Sequence, residues 1–218
     1  MGSQRTMSTS ASLLLGLVVV AALAGSLFVS LGADDASASV AADDQVMRGR
    51  ALVIHHACGD CHGGFSNPNA DGWLAGMRDT AQEFKIGPFK TRPRNLTPDN
   101  MTGLGRFSER QIFNALRYGL RPGETPDVAI TSTTPGQGNF PAHPKYLAVP
   151  MPWPAFRHMS DQELRDIAAY LKRGVKPVSN RVMDSEGPPD FWASEYTVEK
   201  IGPYPAAAFP AAHERAAP

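Results

Sequence analysis

The chain of 218 residues has no net charge, its 21 basic and 21 acidic side chains cancelling. That balance excludes a partner held by bulk electrostatics, nucleic acid above all. Cysteine is scarce: two residues can close at most one disulfide, so a disulfide-stapled scaffold is excluded as well. No internal repeat is present. Glycine and proline are plentiful, at 20 and 19 residues. Their abundance predicts short helices separated by long irregular segments.

The longest uncharged apolar run extends from Leu13 to Ala33. As a helix it would measure about 31 Å, close to the hydrocarbon core of a bilayer. Arg5 precedes it, and Asp34 and Asp35 follow directly, so the positive-inside tendency sends the rest of the chain outward. Ala36-Ser37-Ala38 fits a small-residue cleavage site, while the run exceeds the usual signal core in length. Residues 1–38 are therefore expected to be a membrane anchor or a removable signal peptide. In either case the remainder is expected on the periplasmic side.

Three helices are expected beyond it. The first, Asp44 to Ala57, has an apolar face of Val46, Met47, Leu52 and Val53 with Gly49 as a small contact. The second runs from Ser108 to Leu120. Ser108 and Gln111 read as its N-terminal box, and Ile112, Ala115 and Leu116 as its buried stripe. The third, Ser160 to Arg173, pairs Ser160 with Glu163, aligns Leu164, Ile167, Ala168 and Leu171, and stops at Gly174. The turn-rich stretches 63–107 and 122–159 are long enough to imply a bound group around which they wrap. Residues 179–218 form a proline-rich tail. From Asp184 to Glu199 it is acidic without a basic residue, and Phe191, Trp192 and Tyr196 imply that it packs back on the body.

The two cysteines stand in Cys58-Gly59-Asp60-Cys61-His62. This CxxCH spacing is the covalent attachment signature of a c-type haem. Two thiols three residues apart can each form a thioether to neighbouring vinyl groups, and the next imidazole becomes an axial iron ligand. A thioredoxin-like pair would need a βαβ pattern, which is missing here. Zinc would need further converging ligands, and His55 and His56 are placed instead on the exposed face of the first helix.

Candidates for the second axial ligand are Met77, Met101, Met151, Met159, Met183, His143, His158 and His213. Met151 is favoured because the prolines of Pro150-Met151-Pro152-Trp153-Pro154 would block helix and hold an extended backbone. Met159 reads as a hydrophobic staple to Leu164, just before the third helix. A methionine ligand favours ferrous iron. Six-coordinate iron leaves no place for substrate, so the reading is an electron carrier and not an enzyme. A five-coordinate haem enzyme or gas sensor is the alternative.

The order of CxxCH after a first helix, a Met-Pro step, and a last helix ending in Ala168-Ala169-Tyr170-Leu171-Lys172 resembles class I c-type cytochromes. Asn95-Leu96-Thr97-Pro98-Asp99 followed by Thr102-Gly103-Leu104-Gly105 is similar to the cytochrome c domains of membrane-bound alcohol and gluconate dehydrogenase cytochrome subunits. The resemblance covers residues 44–178. It implies an all-α cytochrome c-like domain of short helices and long loops around one covalent haem c. It also implies Cys58 and Cys61 as the attachment residues, His62 and Met151 as axial ligands, and redox proteins as donor and acceptor. Such subunits usually carry several CxxCH motifs and this chain has one, which favours a single-haem carrier.

Between Arg78 and Arg121 nine basic residues face four acidic ones. Arginine forks suit haem propionates, and Arg94 is expected to contact one. Trp153, two residues from Met151, is expected to pack on the haem, and Trp73 to pack in the core.

Overall fold

The computed structural model describes residues 38–77, 83–188, 190–202, 208 and 210–215. The apolar run 13–33, and with it the choice between anchor and cleaved signal, lies outside the described residues. Among those described, no helix is long and apolar enough to cross a membrane. By contacts the chain divides into Met1–Asp44 and Gln45–Pro218, and the second unit holds both cysteines and every candidate ligand.

Helix α1 covers 38–55, starting ahead of the expected Asp44, and α2 is the short turn Cys58–His62. Ala57 separates them in the left-handed conformation at φ 53°. Without glycine there, a Cβ crowds the carbonyl of the next turn, and the break is held at a cost.

Helix α3, Glu109–Tyr118, begins at the expected box: Ser108 Oγ accepts from the Gln111 N–H, and Gln111 Oε1 accepts from the Ser108 N–H. It ends at Gly119, where φ is 69°. After a single turn at Trp153–Phe156 (α4), helix α5, Asp161–Ala169, starts at the matching Ser160–Glu163 box and passes into a wider π turn, Tyr170–Gly174. Its Leu164, Ile167 and Ala168, with Leu171 of the π turn, are buried with Val53, Trp73, Leu74, Ile112, Phe113 and Leu116 in the main core. Lys172 closes this end by donating to the carbonyls of Leu104, Gly105 and Phe107 at 3.2, 2.7 and 2.7 Å.

Two expectations are corrected. The domain is mostly helix and loop but not all-α: Phe84–Ile86 (β1) and Phe89–Thr91 (β2) form an antiparallel hairpin with Ile86 opposite Phe89. Gly87, at φ 54°, supplies the left-handed residue that this two-residue turn requires. Likewise, the segment after Met151 is not extended, because it contains α4, with Pro152 as N-cap and Pro154 inside the first turn. A first helical turn has no intrahelical use for its N–H groups, so proline costs nothing there.

A second aromatic cluster collects Phe89, Leu120, Phe140, Tyr146, Trp153 and Trp192. The tail supplies part of it, as its aromatics imply. Trp192 is buried edge-on to Phe89, with ring centres 5.0 Å apart, and Tyr196 meets Trp153 at 4.8 Å; Phe191 remains half-exposed. Polar contacts add to this. Glu186 pairs with Lys90 through both backbone bonds, Asp190 receives Arg121 and Lys145 at 2.6 and 3.0 Å, and the Arg157 guanidinium donates to the carbonyls of Ile201 and Gly202.

Candidate haem-attachment site

Cys58, Cys61 and His62 share the single turn of α2, with both thiols half-buried and free. Gly59, between them, lets the following loop close over the turn. A Cβ there would stand 1.9 Å from the Phe65 carbonyl oxygen and 2.5 Å from the Trp73 ring. Trp73 is itself held by its indole N–H donating to Tyr170 Oη at 3.0 Å, and it packs in the core as expected. Burial pushes the Cys58 thiol up to about 11.

His62 Nδ1 is 2.7 Å from the carbonyl oxygen of Arg94. A carbonyl only accepts, so Nδ1 carries the proton and a neutral ring has its lone pair at Nε2. Burial holds the imidazole below its usual 6.5, against the opposing pull of that hydrogen bond, and so favours the neutral form. A neutral imidazole with one nitrogen tied to a carbonyl is the state in which histidine ligates metals. Two free thiols at thioether spacing beside such a ring fit a covalently attached haem.

The residues around the Arg94 carbonyl explain the Asn95–Asp99 motif. Asn95 is buried and donates to the Val178 carbonyl at 2.8 Å and to Thr102 Oγ at 3.0 Å, while its own oxygen accepts from the Thr97 N–H and hydroxyl. Asp99 accepts from the Thr102 N–H and hydroxyl, both at 2.7 Å. These bonds fasten the loop to the chain that leaves α5.

Met151 and Met159 are both partly buried against the main core, as is Cys58. Met101 is 81% exposed and Met183 half-exposed. The stretch of chain after Met151 is anchored by buried Arg117, which donates to the carbonyls of Arg157 and Met159 and pairs with Asp161. That role was not legible in the sequence, because its acceptors are carbonyls some 40 residues away. Trp153 is 3% exposed and stacked on Tyr146 at 5.6 Å, and its buried indole N–H meets no acceptor in hydrogen-bonding geometry among the described residues. The guanidinium of Arg94 donates to the Met183 carbonyl and to Ser185 Oγ, both at 3.1 Å, and lies 3.5 Å from Asp184. His55 and His56 are exposed, as expected.

This set of side chains is the chemistry of c-type haem proteins, and comparison with known sequences agrees. The chain is similar to the cytochrome c subunit of gluconate 2-dehydrogenase from Pantoea cypripedii, 28% identical over 170 residues, or 78% of this chain and 31% of that subunit. It is similar as well to the cytochrome c subunit of the quinone alcohol dehydrogenase of Gluconobacter oxydans, 29% identical over 171 residues, 78% of this chain and 30% of the other. The cytochrome subunit of fructose dehydrogenase from Gluconobacter japonicus is 28% identical over 133 residues, 61% of this chain and 22% of its own. The chain thus spans under a third of the length of these curated relatives. No model of a known protein family matches it. The resemblance drawn from the CxxCH, Asn-Leu-Thr-Pro-Asp and Met-Pro motifs is borne out by these relatives.

Proposed function

We propose that this chain is a c-type cytochrome that carries single electrons on the periplasmic side between a dehydrogenase and a respiratory acceptor. One haem would be held covalently by Cys58 and Cys61, with His62 and Met151 as the residues that would ligate its iron. The observation that carries the reading is the Arg94 carbonyl on His62 Nδ1, beside two free thiols on one helical turn. A bound haem would supply the redox couple. The chain's own part is to ligate, to exclude water and to present a docking face. His62 is held in its ligating tautomer, and Arg117 fastens the chain that follows Met151. Trp153 is proposed to contact the haem, being a buried aromatic two residues from Met151. Arg94 takes part through its carbonyl, its guanidinium being committed to the tail.

The test is the natively matured protein. The proposal expects an intact mass one haem above that of the polypeptide. In the ferric state it also expects the weak red-end absorbance band of a His/Met haem, abolished in Met151→Ala and kept in Met159→Leu. No added mass would end the proposal. Carbon monoxide binding to the reduced, undenatured protein would favour the five-coordinate enzyme or sensor.

A further inference from the structure

Three strips of chain meet beside His62: residues 74–77, residues 93–96, and residues 178–185 where the chain leaves the π turn. The first two are joined by Leu96 N–H donating to the Leu74 carbonyl at 2.8 Å, and Gly76 N–H donates to the His62 carbonyl at 2.7 Å. Asn180 of the third strip donates to the Ala75 carbonyl at 2.6 Å. Gly76 marks how closely all three approach. A Cβ there would lie 2.7 Å from Val182 Cγ2, 2.8 Å from the Asn95 nitrogen and 2.9 Å from the Arg94 carbonyl carbon.

Arg94 touches both sides of this junction. Its carbonyl accepts from His62 Nδ1, and its guanidinium reaches the carbonyls of Val182 and Met183 and the hydroxyl of Ser185 at 3.4, 3.1 and 3.1 Å. Ser185 is secured in turn by Thr91 Oγ at 2.9 Å, and Asp184 pairs with the guanidinium. Arg94 is thus held at both ends, by its carbonyl at His62 and by its guanidinium on the tail.

From this arrangement we infer that the tail segment 180–185 sets the strength of the hydrogen bond on His62, with Arg94 as the positioning residue that joins them. The partner of a ligating imidazole controls its basicity, and a firmer acceptor makes it a stronger donor to the oxidised metal. The tail therefore holds the reduction potential down, and loosening it raises the potential. Loss of the Arg94 positive charge alone would act in the opposite direction, by favouring the ferric state, so the sign of the shift separates the two effects.

The inference rests on the haem reading, so covalent haem is verified first in each variant by intact mass; failure of that reading and failure of this one are then distinct. Charge-conserving variants Arg94→Lys and Ser185→Ala are compared with Arg181→Lys, whose side chain is 82% exposed and pairs with Asp184. Two readouts are taken: the midpoint potential, and solvent exchange of the His62 Nδ1 proton by NMR. The expected result is an upward potential shift with faster exchange in Arg94→Lys, a smaller change of the same sign in Ser185→Ala, and neither in Arg181→Lys. Unchanged potential and exchange in both test variants would overturn it, as would a downward shift or an equal effect in Arg181→Lys. If Arg94→Lys fails to mature, Ser185→Ala decides alone.

Discussion

Gly49 of α1 and Asp166 of α5 are in backbone contact, so close that a Cβ on Gly49 would fall 1.9 Å from the Asp166 carbonyl oxygen and 2.8 Å from Tyr170 Cβ. The carboxylate of Asp166, 1% exposed as a residue, accepts from Arg48 at 2.7 Å and Gln162 at 2.6 Å at the same crossing. In an open helix, glycine to alanine would gain about 1 kcal/mol. Here the sign reverses. Gly49→Ala should lose about 1–3 kcal/mol, the cost of overpacking, read as a lowered denaturant midpoint.

Ala57 presents the opposite case. Its left-handed backbone costs about 1–2 kcal/mol for a residue with a Cβ, and the residue is exposed between α1 and α2. Glycine removes that strain and returns part of the gain through a freer unfolded chain. Ala57→Gly should therefore raise the melting temperature with the haem content unchanged.

The α5 box makes stability pH-dependent. Hydrogen bonds from the Ser160 N–H and hydroxyl hold Glu163 below its usual 4.5. A carboxylate with a lowered folded pKa contributes stability that is complete above 4.5 and is lost as pH falls through the lower folded value. The denaturant midpoint should drop over that window, and drop less in Glu163→Gln, which keeps an acceptor but no titration.

Trp192 fixes the tail by its side chain. It is 2% exposed and edge-on to Phe89 and Phe191 at 5.0 Å each. Trp192→Ala should cost about 3–5 kcal/mol, as large-to-small core changes do. Limited proteolysis should then cut the tail at protease levels that leave the parent intact.

Much of the scaffold was legible in the residues because its signals are local. Ser108 with Gln111 and Ser160 with Glu163 each lie three apart, within one helical turn, and both boxes form as read. The hairpin is also written locally, in Phe84-Lys85-Ile86 and Phe89-Lys90-Thr91 about Gly87-Pro88, but its signal is obscured by the many turn residues around it. The prolines near Met151 bar a helix interior but not a first turn, so α4 forms where an extended backbone is expected.

The proposed attachment site is read from residues close in sequence, since two thiols and an imidazole fall within five residues on one turn. Caps and apolar periodicity likewise mark where α3 and α5 begin. Folding was needed to choose the acceptor that holds His62, the bonds that occupy Arg94, and the crossing that demands glycine at position 49. The separations are 32 residues for His62 with Arg94, 89 for Arg94 with Met183, and 118 for Arg48 with Asp166 at the crossing beside Gly49. Backbone carbonyls, which every residue carries, supply most of them. An acceptor that every position offers leaves no mark in the sequence, and only the folded chain selects which one is used.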